Sequence, residues 1–305
     1  MLPDFKAQSK WSWLIAAYLF LAGLGGGAYV VGVAADFLGQ GWETIARIGV
    51  CLAFPCVAVG CIFLILDLGS PANFWRAAFR PNTSWIARGT IIITCFMIIG
   101  ALHIAFWIWP FNNPPASPGS RHVLGVIGVV FALGTMIYTG ILLAAARPIA
   151  FWSTAMLPLL FLVSALSTGV MAVVLFASFR GTAHAEAIHQ MTRADVFLII
   201  LEIFVLAFFF QATHRVPESR ASAQLVLTGS VAPLFWWGVA MLGLLAPLAL
   251  DLVGFAVTGG WSVVFAFLAS ACGIAGGLCL RQVVLAGGVH APLRAGRFEI
   301  ALPIV

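Results

Sequence analysis

An acid, several arginines and two tryptophans crowd the end of one apolar stretch. The run Asp67-Leu68-Gly69-Ser70-Pro71 continues through Phe74-Trp75-Arg76 and Arg80, and Pro81-Asn82-Thr83-Ser84-Trp85 leads on to Arg88-Gly89. An acid at a helix C-terminus opposes the helix dipole, so Asp67 is expected to have a partner, Arg76 or Arg88. A carboxyl at the edge of a bilayer is also suited to handing protons to a bound molecule. Tyr138 offers a second reactive group, inside an apolar run and followed by Thr139 and Gly140. The chain has 3 tyrosines against 25 phenylalanines, so a hydroxyl within a span is not its default choice. Such a phenol can bond a quinone carbonyl while its ring packs on the quinone ring, or it can simply bond a backbone carbonyl.

Further polar groups lie deeper in apolar sequence. Glu202 stands mid-span in Ile200-Leu201-Glu202-Ile203-Phe204, where a carboxyl serves either proton movement or an interhelical hydrogen bond. Ser164, Ser167 and Thr168 share one helical face by three- and four-residue spacing. With Glu202 they could form a hydrated track, or equally the bonds that hold a bundle together. Tyr18 is about one and a half turns inside the first span. The glycines that follow it, Gly23, Gly25, Gly26 and Gly27, would admit either a neighbouring helix or a flat ligand. Asp36 and Asp251 read as interfacial residues, and His103 as a histidine hydrogen-bonded near a helix end.

Several kinds of chemistry are disfavoured. A bis-histidine haem needs two imidazoles facing one another inside the bundle. His103 is the single histidine well inside a span; His122, His184, His189, His214 and His290 fall in loops or at interfaces. The six cysteines, at 51, 56, 61, 95, 272 and 279, lie in apolar runs and none forms Cys-x-x-Cys. They read as small buried hydrophobes rather than cluster ligands. No histidine and cysteine spacing suggests a metal site.

The elements that must position these groups are membrane spans. The chain has 305 residues, 62% hydrophobic and 8% charged, against about a quarter charged in soluble domains. Lipid must therefore cover most of its surface, and the fold class is all-α and polytopic. Eight spanning helices are expected at about 12–36, 46–67, 88–109, 123–146, 152–178, 195–213, 229–252 and 261–286. The first lacks a cleavage-site pattern and reads as a retained helix. The breaks are Gln40-Gly41-Trp42-Glu43, the proline-rich run from Pro110 to Pro115, Arg180-Gly181, a tight turn at Arg147-Pro148, and Thr258-Gly259-Gly260. The count suits two four-helix bundles, residues 1–146 and 147–305. An even number of spans places both termini on one side. That side has ten basic residues (Lys6, Lys10, Arg76, Arg80, Arg88, Arg147, Arg215, Arg220, Arg294, Arg297), against Arg47, Arg121, Arg180 and Arg193 opposite. Arg281 lies inside the last helix. The positive-inside rule then makes the termini cytoplasmic. The basic balance reads as topology and docking surface, not nucleic-acid binding.

The motifs together resemble the NrfD/PsrC family, the membrane subunits of polysulfide-reductase-like complexes. The resemblance rests on Tyr18-Leu19-Phe20-Leu21-Ala22-Gly23-Leu24-Gly25-Gly26-Gly27, Asp67-Leu68-Gly69-x-Pro71 with Phe74-Trp75-Arg76, Pro81-x-Thr83-Ser84-Trp85, Tyr138-Thr139-Gly140, and the run from Leu157-Pro158 to Gly169. It covers the first five spans well and the rest mainly by topology. It implies a haem-free, quinone-binding anchor in the inner (cytoplasmic) membrane of a prokaryote. That anchor would pair with a four-cluster iron–sulfur subunit and a molybdopterin catalytic subunit, the latter holding the substrate chemistry. Carried over by motif, Tyr138 would bond the quinone (menaquinone or ubiquinone) and Asp67 would move protons beside it. Trp85 and Arg88 would shape the entrance, with Tyr18 and Gly26 contributed by the first helix. Glu202, with Ser167 and Thr168, would belong to a proton path, and Arg76 and Arg80 would face the docked partner. The competing reading is a transporter or channel without redox partners, for which the glycine-rich first helix is the support.

Overall fold

A computed structural model describes residues 12–67, 84–108, 118–145, 148–214, 216–257, 259–289, 293–295 and 298–300. Among these, eight helical segments are long and apolar enough to cross a membrane. They are built from α1 (Trp13–Leu38), α2 (Glu43–Leu66), α3 (Trp85–Ala105), α4 (Pro118–Ala144), α5 (Met156–Ser178), α6 (Ala185–Thr213), a π-wound segment (Leu234–Leu245) continuing into α8 (Ala246–Ala256), and α9 (Gly260–Ala286). A short helix, α7 (Pro217–Leu227), precedes the π segment, and a two-stranded antiparallel hairpin, β1 (Leu293–Ala295) with β2 (Phe298–Ile300), follows α9. The first, second, third, fourth, fifth and eighth expected spans agree in place to within a few residues. The sixth begins earlier, after a single 3₁₀ turn at Gly181–His184, and the seventh is shifted towards the C-terminus.

Local chemistry sets the helix ends. Ser12 has extended backbone and its hydroxyl accepts from the Leu14 amide at 3.2 Å, capping α1. Ser84 caps α3 in the same way, accepting from the Ala87 amide at 3.4 Å. Gly39 and Gly41 take positive φ values of 78° and 88°, so the backbone reverses between α1 and α2 where a side chain would be strained. The connection from α4 to α5 is longer than the tight turn expected at Arg147-Pro148; Arg147 itself lies outside the described residues. Pro148 to Ala155 form successive turns because Trp152 is an anchor. Its ring is fully buried and its indole N–H donates to the Val284 carbonyl of α9 at 2.7 Å.

Two helices form the centre of the protein. Within their spanning windows α1 and α5 are each 72% buried, against 28% for α2 and α3, which turn large apolar side chains towards lipid. α1 packs on α2, α4, α5 and α9; α5 packs on α1, α4, α6 and α9. The α1–α5 approach is close enough to exclude side chains. A Cβ on Gly169 would lie 2.6 Å from the Gly27 Cα, so the glycine-rich run of α1 is used here by helix packing. The π segment shows its register at its end, where the Ala246 amide donates to the Met241 carbonyl five residues back. It widens the helix where it packs on α9.

The alternation of spans defines two faces. α1 begins, α2 ends, α3 begins, α4 ends and α5 begins at the first face. α1 ends, α6 begins, α8 ends and α9 begins at the second.

Candidate functional site

At the first face, α1, α2, α3 and α4 carry five of the expected residues. Tyr138 of α4 lies on Gly89 of α3: a Cβ at Gly89 would fall inside the Tyr138 ring. The glycine that ends the Trp85-to-Gly89 motif is thus the floor under the tyrosine ring. Tyr18 of α1 is fully buried in the same core cluster as Tyr138, and its hydroxyl has no hydrogen-bond partner among the described residues. A buried phenol without a partner costs about 1–3 kcal/mol, a cost that an oxygen-bearing ligand would remove. Asp67 caps the end of α2 and accepts a hydrogen bond from Ser12 Oγ, which clasps the end of α2 to the start of α1. An arginine partner, Arg76 or Arg88, is the sequence expectation; Arg76 lies outside the described residues, and among the described residues Asp67 accepts from Ser12. Trp85, 43% exposed, faces outward at the start of α3 with the Arg88 guanidinium 4.6 Å from its ring centre. Arg80 also lies outside the described residues.

Two glycines of the motifs, Gly26 expected at the site and Gly140 beside Tyr138, pack against neighbouring helices. A Cβ on Gly26 would meet Met136 Cγ at 2.8 Å, so Gly26 sits in the α1–α4 seam, about 12 Å along α1 from Tyr18. Gly140, which closes the Tyr138-Thr139-Gly140 motif, abuts Pro158 of α5, and a Cβ there would come 2.9 Å from the Pro158 nitrogen. The Thr139 hydroxyl donates to the Met136 carbonyl at 2.6 Å. One three-residue motif therefore faces the tyrosine pair with its first residue and joins α4 to α5 with its last.

A second polar region occupies α5, α6, the π segment, α8 and α9. Glu202 is buried and lines a small cavity together with Ser164, Ser167, Thr168, Gly243 and Gly276. Thr168 Oγ1 donates back to the Ser164 carbonyl at 2.7 Å, while Ser167 Oγ donates to Asp195 at 2.8 Å. Asp195 is 4% exposed, although it falls at the start of the sixth span expected from sequence. α6 in fact begins ten residues earlier, which puts Asp195 about 15 Å inside the helix. The signal that marks it in sequence is its spacing of seven from Glu202, two turns along one face. Arg281, in sequence merely a basic residue within a span, is fully buried on α9. It donates to the Phe161 carbonyl at 3.1 Å and lies 4.0 Å over the Phe161 ring. Its Nε and Nη1 have no hydrogen-bond partner among the described residues.

At the second face, where both are expected as interfacial residues, Asp36 and Asp251 are covered by the protein itself, 5% and 2% exposed. Asp36 receives both Nη2 and Nε of Arg121, at 2.6 and 2.8 Å, with His122 Nε2 at 3.5 Å. Nearby, Tyr29 and His103 share a hydrogen bond of 2.7 Å between the phenol oxygen and Nδ1. Among the described residues, no three His, Cys, Asp or Glu side chains gather as a metal centre.

Comparison with known proteins adds an independent line. Residues 2–292 match the family described as "Polysulphide reductase, NrfD". The chain is 28% identical over 303 residues to one of the polypeptides of polysulfide reductase from Wolinella succinogenes, spanning 91% of this sequence and 94% of that one. It is 28% identical to the NrfD protein of Escherichia coli, over 79% of this sequence and 83% of the relative. It is 22% identical to a selenate reductase subunit of Mesobacillus selenatarsenatis, over 82% of this sequence and 68% of that protein.

Proposed function

The chain belongs to the NrfD (polysulphide reductase) family, a multi-pass membrane subunit of a reductase complex, and from that premise we propose that it exchanges electrons between membrane quinone and a docked iron–sulfur subunit. The observation that carries this reading is the buried hydroxyl of Tyr18, without a hydrogen-bond partner among the described residues, in the same core cluster as Tyr138 at the first-face end of α1 to α4. A quinone takes up two electrons and two protons. Its electrons must come from a cluster within tunnelling reach, which favours a site near one face. Its carbonyl oxygens need donors already in position, which Tyr18 and Tyr138 supply. Asp67 stands at the same helix ends and carries protons between the site and water. Trp85 and Arg88 border the way in from lipid, and Arg76 and Arg80 belong to the surface on which the iron–sulfur subunit docks. A molybdopterin subunit beyond it holds the substrate chemistry. In this reading the protein resides in a prokaryotic cytoplasmic membrane with both termini cytoplasmic.

We further propose that Glu202, with Ser167 and Thr168, carries protons through the second half of the chain; its buried cavity supports this. Two experiments test the pair of readings. Tyr138→Phe in the assembled complex should lower quinol-linked turnover by about a hundredfold, in the range for loss of one positioned proton donor. Reduction of the catalytic subunit by an artificial one-electron donor should persist. A variant with full quinol-linked rate removes Tyr138 from the site. Glu202→Gln should reduce the protons moved per electron in sealed vesicles; an unchanged ratio removes the proton path. Purification of a lone protein, free of quinone and active in solute flux, would favour the transporter reading instead.

A further inference from the structure

A small cavity opens at the second face where α6, α8 and α9 meet. His189 and Thr192 of α6, Asp251 and Phe255 of α8, and Ser262 of α9 line it. Asp251 is 2% exposed, and its Oδ2 has no hydrogen-bond partner among the described residues. The ion pairs among the described residues join Asp36 to Arg121 and His122, so none of them neutralises Asp251. The charged side chains at this end of α6, Glu186 and Arg193, are exposed, and Glu186 accepts from Gln190 at 2.9 Å. A carboxylate covered by protein without a counter-charge or a donor is among the costliest groups to bury.

The two hydroxyls of the cavity do not relieve that cost. Thr192 Oγ1 donates to the Ile188 carbonyl at 2.9 Å, and Ser262 Oγ donates to the Gly259 carbonyl at 2.8 Å. A hydroxyl has one proton to give, so both oxygens are left as acceptors. One carboxylate and two hydroxyl oxygens, from three helices, thus line the cavity with lone pairs. Water could donate to them, yet it would leave the charge of Asp251 unbalanced. A cation answers both needs, and oxygen donors suit a hard one. A single carboxylate balances a single positive charge, whereas a divalent ion would leave an excess charge under cover of the protein. The small size of the cavity favours sodium over the larger potassium ion. At the rim, His189 is half-buried and packs edge-on against Phe255 at 5.1 Å, bordering the mouth.

We propose that this cavity binds a monovalent metal cation, sodium, held by Asp251 Oδ2, Thr192 Oγ1 and Ser262 Oγ, with water completing its coordination. The bound ion ties α6, α8 and α9 together at the second face. Protonation would also neutralise Asp251, and dependence on sodium separates the two.

The site is independent of the quinone reading and of the Glu202 path, so its test reads binding and not turnover. Equilibrium binding of radioactive sodium to the purified whole complex is measured for the wild type, Asp251→Asn and Thr192→Val, with choline chloride holding the ionic strength constant. The wild type should bind sodium saturably. Asp251→Asn should bind it about tenfold or more weakly, the loss of one charged contact. Thr192→Val, which keeps the shape of the side chain and removes its oxygen, should weaken binding as well. Replacing choline by sodium should raise the unfolding temperature of the wild type and leave that of Asp251→Asn unchanged, because an ion held only by the folded state stabilises it. No saturable sodium binding in the wild type overturns the site, as does wild-type affinity in Asp251→Asn. Displacement of sodium by calcium at a lower concentration overturns the monovalent assignment. Should Asp251→Asn fail to assemble, undiminished affinity in Thr192→Val overturns the proposed ligand set.

Discussion

Single residues carry more than one duty in this protein, and the duties separate by substitution. Gly89 is the clearest case. Gly89→Ala gains about 1 kcal/mol in helix propensity and loses about 1–3 kcal/mol by overpacking, so the net change in stability is small. The added methyl occupies the space of the Tyr138 ring, which must then move. The expected outcome is an assembled complex with near-normal thermal unfolding but quinol-linked turnover about a hundredfold lower, as for a reactive group displaced by about 1 Å. Normal turnover would show that the Tyr138 ring position does not matter. Asp36 is the opposite kind. Asp36→Ala leaves the Arg121 guanidinium without its two short bonds and should cost about 2 kcal/mol in thermal unfolding, with quinone chemistry untouched. Tyr138, Asp67 and Glu202 are visible in the sequence because polar groups in apolar runs need reasons. Asp195 is not, because the polar residues from Gln190 to Arg193 just before it imitate a membrane interface, and Asp251 reads as interfacial because the expected seventh span ends one residue beyond it. The pairing of Tyr138 with Gly89 is hidden too, since 49 residues separate them and helix spacing says nothing across that distance.

At the scale of the elements, glycine decides which helices sit at the centre. α1 and α5 meet at Gly27 and Gly169, where backbone touches backbone. Gly169→Val would push the two helices apart, and with them the halves that hold the tyrosine pair and the Glu202 cavity. The cost is at least about 3 kcal/mol, the upper end for overpacking, and the expected outcome is a large drop in detergent unfolding temperature or failure to assemble. A stable, assembled Gly169→Val complex would contradict the central place given to this contact. The spans themselves are readable because about 20 apolar residues per crossing is a strong constraint. The π-wound Leu234–Leu245 is not, because a change of helical register leaves composition unaltered. Nor is the long α4–α5 connection: it depends on Trp152 reaching the Val284 carbonyl, a contact 132 residues apart in sequence.

For the whole molecule, the placement of polar groups divides the work between the membrane faces. The tyrosine pair, Asp67 and the Trp85–Arg88 stack gather at the first face. The Glu202 cavity lies mid-span, and the Asp251 cavity opens towards the second. In the proposed function an electron-transfer partner docks on the first face. The central claim, that quinone is bound between α1, α3 and α4 at the first face, is tested most directly by photolabelling. A quinone analogue bearing a photoreactive azide on its ring is bound to the complex, illuminated, and its adducts are located by peptide mass spectrometry. The expected adducts fall on the peptides containing Tyr18, Gly89 and Tyr138, and excess natural quinone suppresses them. Adducts confined to the Glu202 cavity or the second face, with these three peptides unlabelled, would contradict the account.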